Sequence, residues 1–416
     1  MNFLNTKTLT EAEILIKGHV DNYKQGVDWN EETKLMNALD RICGSDIISK
    51  EILPPFDRST VDGYAVRRMD VQGASESIPV PLTLAGSVAM GQRSELSLGE
   101  GMCAYVPTGG MIPEGADAMV MVEDTEVIGV DTILIYRPAK AYAYITCKGE
   151  DVQIEDVLVP KGRRITSYEI AILAGMGIPI LPTVKQPIFT VISTGDEIID
   201  INETVAPGLI RDINGYGLTA WIKENGGQVR ERIIVGDDWS DLESAVRNAA
   251  ATSDVVLLSG GSSQGKKDYT KGLIESFADG NVMVHGLSVK PGKPTIIGSV
   301  GKTLILGLPG HPVAAMMICH ELAGCFMDHW FEYDKKRIRI KARMKENIHG
   351  ATGRDTLLTV RIREIDHELW AEPIYGKSGL ITTLTNASGW VRISQEKEGV
   401  LTGDWVEVEL LQGVRL

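Results

Sequence analysis

Two groups of residues suited to holding an anion lie about thirty residues apart between Asp254 and Lys293. The first, Asp254-Val255-Val256-Leu257-Leu258-Ser259-Gly260-Gly261-Ser262-Ser263, reads as an apolar strand running into a glycine turn and then toward a helix starting near Asp268. Such a turn bares backbone N–H groups, and the helix N-terminus adds about 0.3–1 kcal/mol of attraction for negative charge. The second, Lys290-Pro291-Gly292-Lys293-Pro294, follows a further expected strand, Val282 to Val289. Its prolines fix φ and keep two ammonium groups together, an arrangement that suits phosphate or another oxyanion. The turn matches neither G-x-x-x-x-G-K-[ST] nor G-x-G-x-x-G, which weakens P-loop and dinucleotide readings.

Carboxylates stand in comparable places. Thr194-Gly195-Asp196-Glu197 puts two acids directly after a strand, where they could hold Mg²⁺ or orient a polar ligand, although Asp196 also suits a plain cap. Asp268 is an ordinary N-cap unless the glycine turn beside it holds a ligand, in which case it can reach a metal or hydroxyl groups. The run Pro54-Pro55-Phe56-Asp57-Arg58-Ser59-Thr60-Val61-Asp62-Gly63-Tyr64-Ala65 carries more polar groups than a turn requires, and binding residues collect on such loops. Thr108, in Pro107-Thr108-Gly109-Gly110, occupies a second polar turn. Cys319, His320, Cys325 and His329 fit no familiar zinc spacing and read as residues of a packed helix.

The elements that must position these residues follow from periodicity. Thr10 to Val20 and Glu31 to Cys43 repeat apolar residues at helical spacing, with Gly44 placed to stop the second helix. From Leu53 to about Lys148 short β runs alternate with Gly and Pro turns, as at Pro79–Ala85, Met102–Pro107 and Thr132–Arg137. After a helix at Ser167–Met176 and a hinge at Pro182–Pro187, strands alternate with helices. These are the strand Ile188–Ser193, the helix Asn214–Asn225, the strand Val229–Val235 and a helix with the capping box Ser240-Asp241-Leu242-Glu243. The strand Thr303–Leu308 and the helix Pro312–Trp330 close the series. This order predicts a mostly parallel sheet covered on both faces, with ligands outside the carboxyl ends of its strands. Strict alternation returns at Arg337–Lys341 and Trp405–Leu410, the signature of a small terminal β barrel or sandwich.

With 416 residues, several domains are expected. A formal charge of −14 is the wrong sign for holding a nucleic-acid backbone, so clustered lysines more plausibly serve a small anion. Five dispersed cysteines suggest reduced thiols, and no apolar run reaches the length of a membrane span, which together predict a cytoplasmic protein with no membrane partner.

Taken in order, these motifs resemble the molybdopterin molybdenumtransferase family, which is similar to the E domain of gephyrin. The resemblance rests on the Pro54–Ala65 run, Pro107-Thr108-Gly109-Gly110 with Pro113–Val120 and Glu123, and Ser193-Thr194-Gly195-Asp196-Glu197. It continues through Ile210-Arg211-Asp212-Ile213-Asn214, Ser259-Gly260-Gly261, Gly265–Lys271, Lys290–Pro294 and Gly307-Leu308-Pro309-Gly310-His311-Pro312-Val313. It implies a multidomain α/β plus β protein: an elongated split domain (1–52 and 148–185), an inserted β-rich domain (53–147), an α/β molybdopterin-binding domain (186–332) and a C-terminal barrel-like domain (333–416).

The implied activity is insertion of molybdenum from molybdate into adenylylated molybdopterin with release of AMP, by a homodimer using Mg²⁺. The molybdopterin adenylyltransferase is a further expected partner. Asp62, Glu197 and Asp268 are the expected catalytic residues, Glu197 and Asp268 the metal ligands. Thr108, Ser259, Gly260, Gly261, Lys290, Lys293, Pro309, Arg354 and Ser378 are expected to bind substrate.

Several positions depart from the family pattern. Thr60-Val61 stands where Ala-Met is usual, His311 and Ala314 where Asn and Ser are usual, and Ser262-Ser263-Gln264 replaces a Val-Ser-Val type of turn. A second Arg expected shortly after Arg354 is absent. The alternatives are therefore a sister enzyme that inserts tungsten and a non-catalytic pterin-binding or scaffolding module. A nucleotidyl transferase would leave the two β-rich domains unexplained. Retention of Asp62, Glu197 and Asp268 argues against a pure scaffold, because carboxylates repel an anionic ligand unless a cation intervenes.

Overall fold

The computed structural model describes residues 6–26, 28–260, 269–332 and 338–411. The chain divides into two compact units, one made of Met1–Glu31, Asp40–Gly44 and Thr183–Leu416, the other of Glu32–Leu39 and Ser45–Pro182.

The first unit is built on a six-stranded sheet in the order Gln228–Val235, Ile188–Thr194, Val255–Ser259, Thr303–Leu308, Ile296–Val300, Gly280–His285. The first four are mutually parallel, and only Ile296–Val300 runs against both of its neighbours. The apolar runs expected of strands covered on both faces are present. Val255, Leu257, Leu304 and Leu306 pack with Leu218, Leu322 and Phe326 of the helices Ile213–Glu224 and Pro312–Trp330. Val256, Leu258 and Ile305 pack with Leu242, Val246 and Leu273 of Trp239–Ala250 and Tyr269–Ser276. Adjacent residues thus enter opposite cores, as the two-residue period of a strand requires.

The helix Leu9–Lys24, held by the Thr8–Glu11 capping box, lays Leu9, Ala12, Ile16 and Val20 into the first of these cores. The terminal strands Asp355–Ile365, Glu368–Pro373, Arg339–Met344, Trp405–Leu410 and Gly389–Ile393 pair in that order, and the last closes onto the first. The result is a five-stranded barrel. The second unit contains a six-stranded sheet in the order Ala118–Met121, Gly63–Val66, Met102–Val106, Val80–Ser87, Thr132–Ile135, Thr125–Ile128, and the helix Ser167–Gly175. The fold is therefore multidomain α/β plus β, with a mostly parallel central sheet and a terminal barrel. No helix among the described residues is long and apolar enough to cross a membrane.

Three local expectations are corrected. Glu31–Cys43 is not a helix: Asn30–Lys34 is a strand and Leu35–Asn37 a single 3-10 turn. The supposed apolar stripe does not share one core: Ile42 is buried, but Met36 and Leu39 are 77% and 53% exposed, and Asp40 has φ +64°. Gly44 is needed for close approach, because a Cβ there would stand 2.3 Å from Asn30 Oδ1. The cap of Trp239–Ala250 is Asp238, whose carboxylate accepts from the N–H groups of Ser240 and Asp241, so Ser240 lies inside the helix. The expected strand Val282–Val289 is two elements. Gly280–His285 ends at Gly286 (φ +98°), and Val289–Lys290 pairs in parallel with the start of Asp355–Ile365, joining the barrel's sheet.

Candidate functional site

That short pairing carries lysines from the α/β sheet to the mouth of the barrel. Lys290, Lys293, Pro309, Arg354 and Ser378 line a single cavity of about 680 Å³. Its floor is apolar, with Val289, Met317, Leu357 and Ile374 among its walls. Among the described residues no Asp or Glu lines it, and none of the described ion pairs engages Lys290, Lys293 or Arg354. Asp355, next to Arg354 in sequence, is spent elsewhere: its carboxylate accepts from Arg392 Nε (2.9 Å) and Nη2 (2.6 Å) and from the Gln395 N–H (2.9 Å). Lys290, Lys293 and Arg354 beside apolar walls favour an anion, since a concave surface lined by one sign of charge concentrates its field.

A second group gathers at the carboxyl ends of the parallel strands. Asp212 caps Ile213–Glu224 and also accepts from Ser193 Oγ (2.9 Å) and Arg232 Nη1 (2.9 Å). This fixes the first turn, from which Asn214 Nδ2 donates to Ser259 Oγ (2.7 Å) and to the Gly310 carbonyl (2.8 Å). Asn214 thereby clamps the ends of two strands. Gly260 takes φ +111° and lies so close to the neighbouring strand that a Cβ would stand 2.4 Å from the Thr194 carbonyl oxygen. The Oγ1 of Thr194 and the Oδ1 of Asn214 are buried there without a hydrogen-bond partner. Orphaned buried acceptors and donors are uncommon and point to a polar ligand.

Glu197 curls back over Gly195, since a Cβ at Gly195 would be 2.6 Å from Glu197 Oε2. Asp196 Oδ1 accepts from the Asp237 N–H at 2.9 Å. Burial, together with the negative charges of Asp196 and Glu197, pushes the Asp237 carboxyl above its ordinary value. Oxygen donors that repel one another in this way suit a hard cation, although among the described residues no three His, Cys, Asp or Glu side chains gather as a metal cage. Gly261 and Asp268 lie outside the described residues. Within the second unit, Asp62 Oδ1 accepts from the Thr108 N–H at 2.8 Å, joining the two polar turns singled out from sequence.

The Cys and His residues of Pro312–Trp330 serve packing and surface pairing. Cys319 and Cys325 are buried, His320 Nε2 meets Glu409 at 2.8 Å and His329 Nε2 meets Asp21 at 2.6 Å. Sequence reasoning did not assign Asn214 to the site, although it lies in a motif that had been noticed. A polar residue two positions after a capping Asp was the available signal. It also passed over His349 and Tyr375, which line the cavity, because isolated residues of a β domain carry no periodic mark.

Comparisons with known proteins agree with this architecture. Residues 7–177 match the MoeA N-terminal region (domain I and II), 190–329 the "Probable molybdopterin binding domain" and 341–411 the MoeA C-terminal region (domain IV). A Methanocaldococcus jannaschii protein named for molybdopterin biosynthesis is 31% identical over 98% of this chain and 99% of its own length. The molybdopterin molybdenumtransferase of Haemophilus influenzae is 33% identical over 70% of each chain. The crystal structure of a molybdopterin biosynthesis MoeA protein from Pyrococcus horikosii superposes with a TM-score of 0.83 at 35% identity, covering 99% of this chain and 100% of the other. The chain belongs to the molybdopterin molybdenumtransferase family, and it is a transferase of molybdenum cofactor biosynthesis.

Proposed function

We propose that this transferase takes molybdenum from molybdate, inserts it into adenylylated molybdopterin and releases AMP. The observation that carries the reading is the cavity in which Lys290, Lys293 and Arg354 meet without a carboxylate, with Ser378 beside them as a hydroxyl donor. A tetrahedral dianion fits its charge and hydrogen-bonding character. Ser259, Gly260 and Pro309, at the ends of the parallel strands, hold the pterin nucleotide in this reading, together with Gly261. In this reading Asp62 contributes to catalysis and Thr108 to substrate binding, the enzyme acts as a homodimer, and the molybdopterin adenylyltransferase is its partner.

Glu197 with Asp268 would hold Mg²⁺ in this reading, and the cation would supply charge neutralisation for the phosphate of the leaving AMP. The raised Asp237 carboxyl supports a cation near Asp196 and Glu197. In an AMP-release assay with adenylylated molybdopterin, turnover should require both molybdate and a divalent cation. Asp268→Ala should abolish release while pterin binding stays measurable. Arg354→Ala should raise the half-saturating molybdate concentration about ten- to hundredfold, the worth of a charged hydrogen bond. Molybdate-independent release, or unchanged turnover in Asp268→Ala, would remove this mechanism. Faster release with tungstate than with molybdate would instead identify a tungsten-inserting sister.

A further inference from the structure

His311 heads the helix Pro312–Trp330, yet its side chain does not cap that helix. It turns to the cavity wall, where Nδ1 lies 2.7 Å from Ser378 Oγ. The Val313 N–H donates to the Ser378 carbonyl at 3.0 Å, so Ser378 is held against the helix start by both main chain and side chain. His311 and Ser378 line the same cavity as Lys290, Lys293 and Arg354. The other titratable groups there are His349 and Tyr375, the latter bound through its hydroxyl to Glu346 at 3.0 Å.

We propose that His311 is a positioning residue that sets the direction of the Ser378 hydroxyl and so couples oxyanion affinity to a proton. This coupling requires the cavity to be the oxyanion site proposed above. A neutral imidazole can accept at Nδ1, in which case the Ser378 proton points at the ring and the hydroxyl offers the anion only lone pairs. An imidazolium has a proton on each nitrogen, so Nδ1 must donate to Ser378 Oγ and the hydroxyl proton is free to turn toward the cavity. The protonated state thus supplies one more donor and one more positive charge. By linkage, if the bound state takes up one proton, affinity rises as pH falls, by at most about tenfold per pH unit. An Asn at this position would offer no such proton.

The test is calorimetric titration of the full chain with sodium molybdate at several pH values between about 8 and 6, repeated in buffers of different ionisation enthalpy to count protons. The wild type should bind more tightly at the lower pH with net proton uptake. His311→Asn should bind with little pH dependence, and Ser378→Ala should show a smaller dependence than wild type, the part owed to the imidazolium charge alone. His349→Asn should keep the full dependence. An equal pH slope in His311→Asn and wild type overturns the proposal, as does loss of the slope in His349→Asn alone. A slope in Ser378→Ala equal to that of wild type refutes the hydroxyl's part. Arg354→Ala separates this failure from failure of the site itself: if molybdate affinity is unchanged in that variant, the oxyanion is not in this cavity and the coupling falls with it.

Discussion

Replacing Asp212 with Ala tests how the helix start at the strand ends is held. Asp212 is 3% exposed and accepts from three donors: Ser193 Oγ, the Gly215 N–H (2.7 Å) and Arg232 Nη1. Loss of the cap contributes about 0.5–2 kcal/mol. Breaking a buried ion pair from one side costs about 3–5 kcal/mol when the remaining charge is stranded. Arg232 is not stranded, because Nη2 keeps Asp200 at 2.7 Å and the guanidinium lies 3.9 Å from the Tyr216 ring centre. The pair therefore costs less than that range, about 2 kcal/mol, and the cap brings the expected total to about 2.5–4 kcal/mol. Asp212→Asn keeps an acceptor for the cap and should cost about 1–2 kcal/mol. Urea unfolding followed by tryptophan fluorescence suits the purpose, since Trp221 sits on the capped helix. With a slope of about 3 kcal/mol/M, Asp212→Ala should lower the midpoint by about 1 M. A change below about 0.5 kcal/mol, or equal costs for Ala and Asn, would refute the account of a carboxylate shared between cap and ion pair. AMP release should fall in Asp212→Ala as well, because Asn214 loses the turn that aims it at Ser259 and Gly310.

Two further perturbations probe other parts of the chain. Gly63→Ala places a Cβ 2.0 Å from the Val120 carbonyl oxygen, in a strand hydrogen-bonded on both sides, and should destabilise by about 1–3 kcal/mol. Calorimetric melting that is unaltered would mean that the sheet shifts to admit the methyl group. Hydrogen bonds from Lys345 (2.6 Å) and Arg363 (2.8 Å) hold the Glu372 carboxyl down at about 2. Because its folded value lies below its unfolded one, the stability it contributes is present above about pH 4.5 and is lost as pH falls toward 2. Glu372→Gln should therefore flatten the acid limb of the stability profile, and an unchanged limb would assign acid unfolding to other carboxylates.

The α/β domain was legible because its strands are apolar on both faces and its helices carry local start signals. Val255–Ser259, Thr303–Leu308 and Pro312–Trp330 appear essentially where periodicity placed them. Ile296–Val300 escaped notice because it directly precedes another apolar strand and returns antiparallel, breaking the strand–helix alternation that had guided the reading. Glu31–Cys43 misled for a different reason. Apolar residues at helical spacing mean a helix only if a core awaits that stripe, and Met36 and Leu39 face solvent. Of the candidate site, lysines and glycines were visible from chemistry and position. The joining of Lys290 to Arg354 was not, because it depends on a two-residue strand pairing across 65 residues of chain, from Val289–Lys290 to Asp355–Thr356. His311 was noticed only as a departure, and its meaning required Ser378 in contact.

That two-residue ladder has a mechanical meaning. Val289 and Lys290 pair with Asp355 and Thr356, and the Asp355 N–H donates to the Ser288 carbonyl at 2.9 Å. The lysine wall and the arginine wall are therefore stitched by main-chain bonds and cannot part as two jaws of a clamp. If the cavity is the oxyanion site, this pairing favours selectivity among tetrahedral anions by a gauge of nearly fixed width. Size would then be judged by fit into a rigid socket, with side-chain protons as the adjustable element, and ligands would exchange at a rate set by entry past the rim rather than by domain opening.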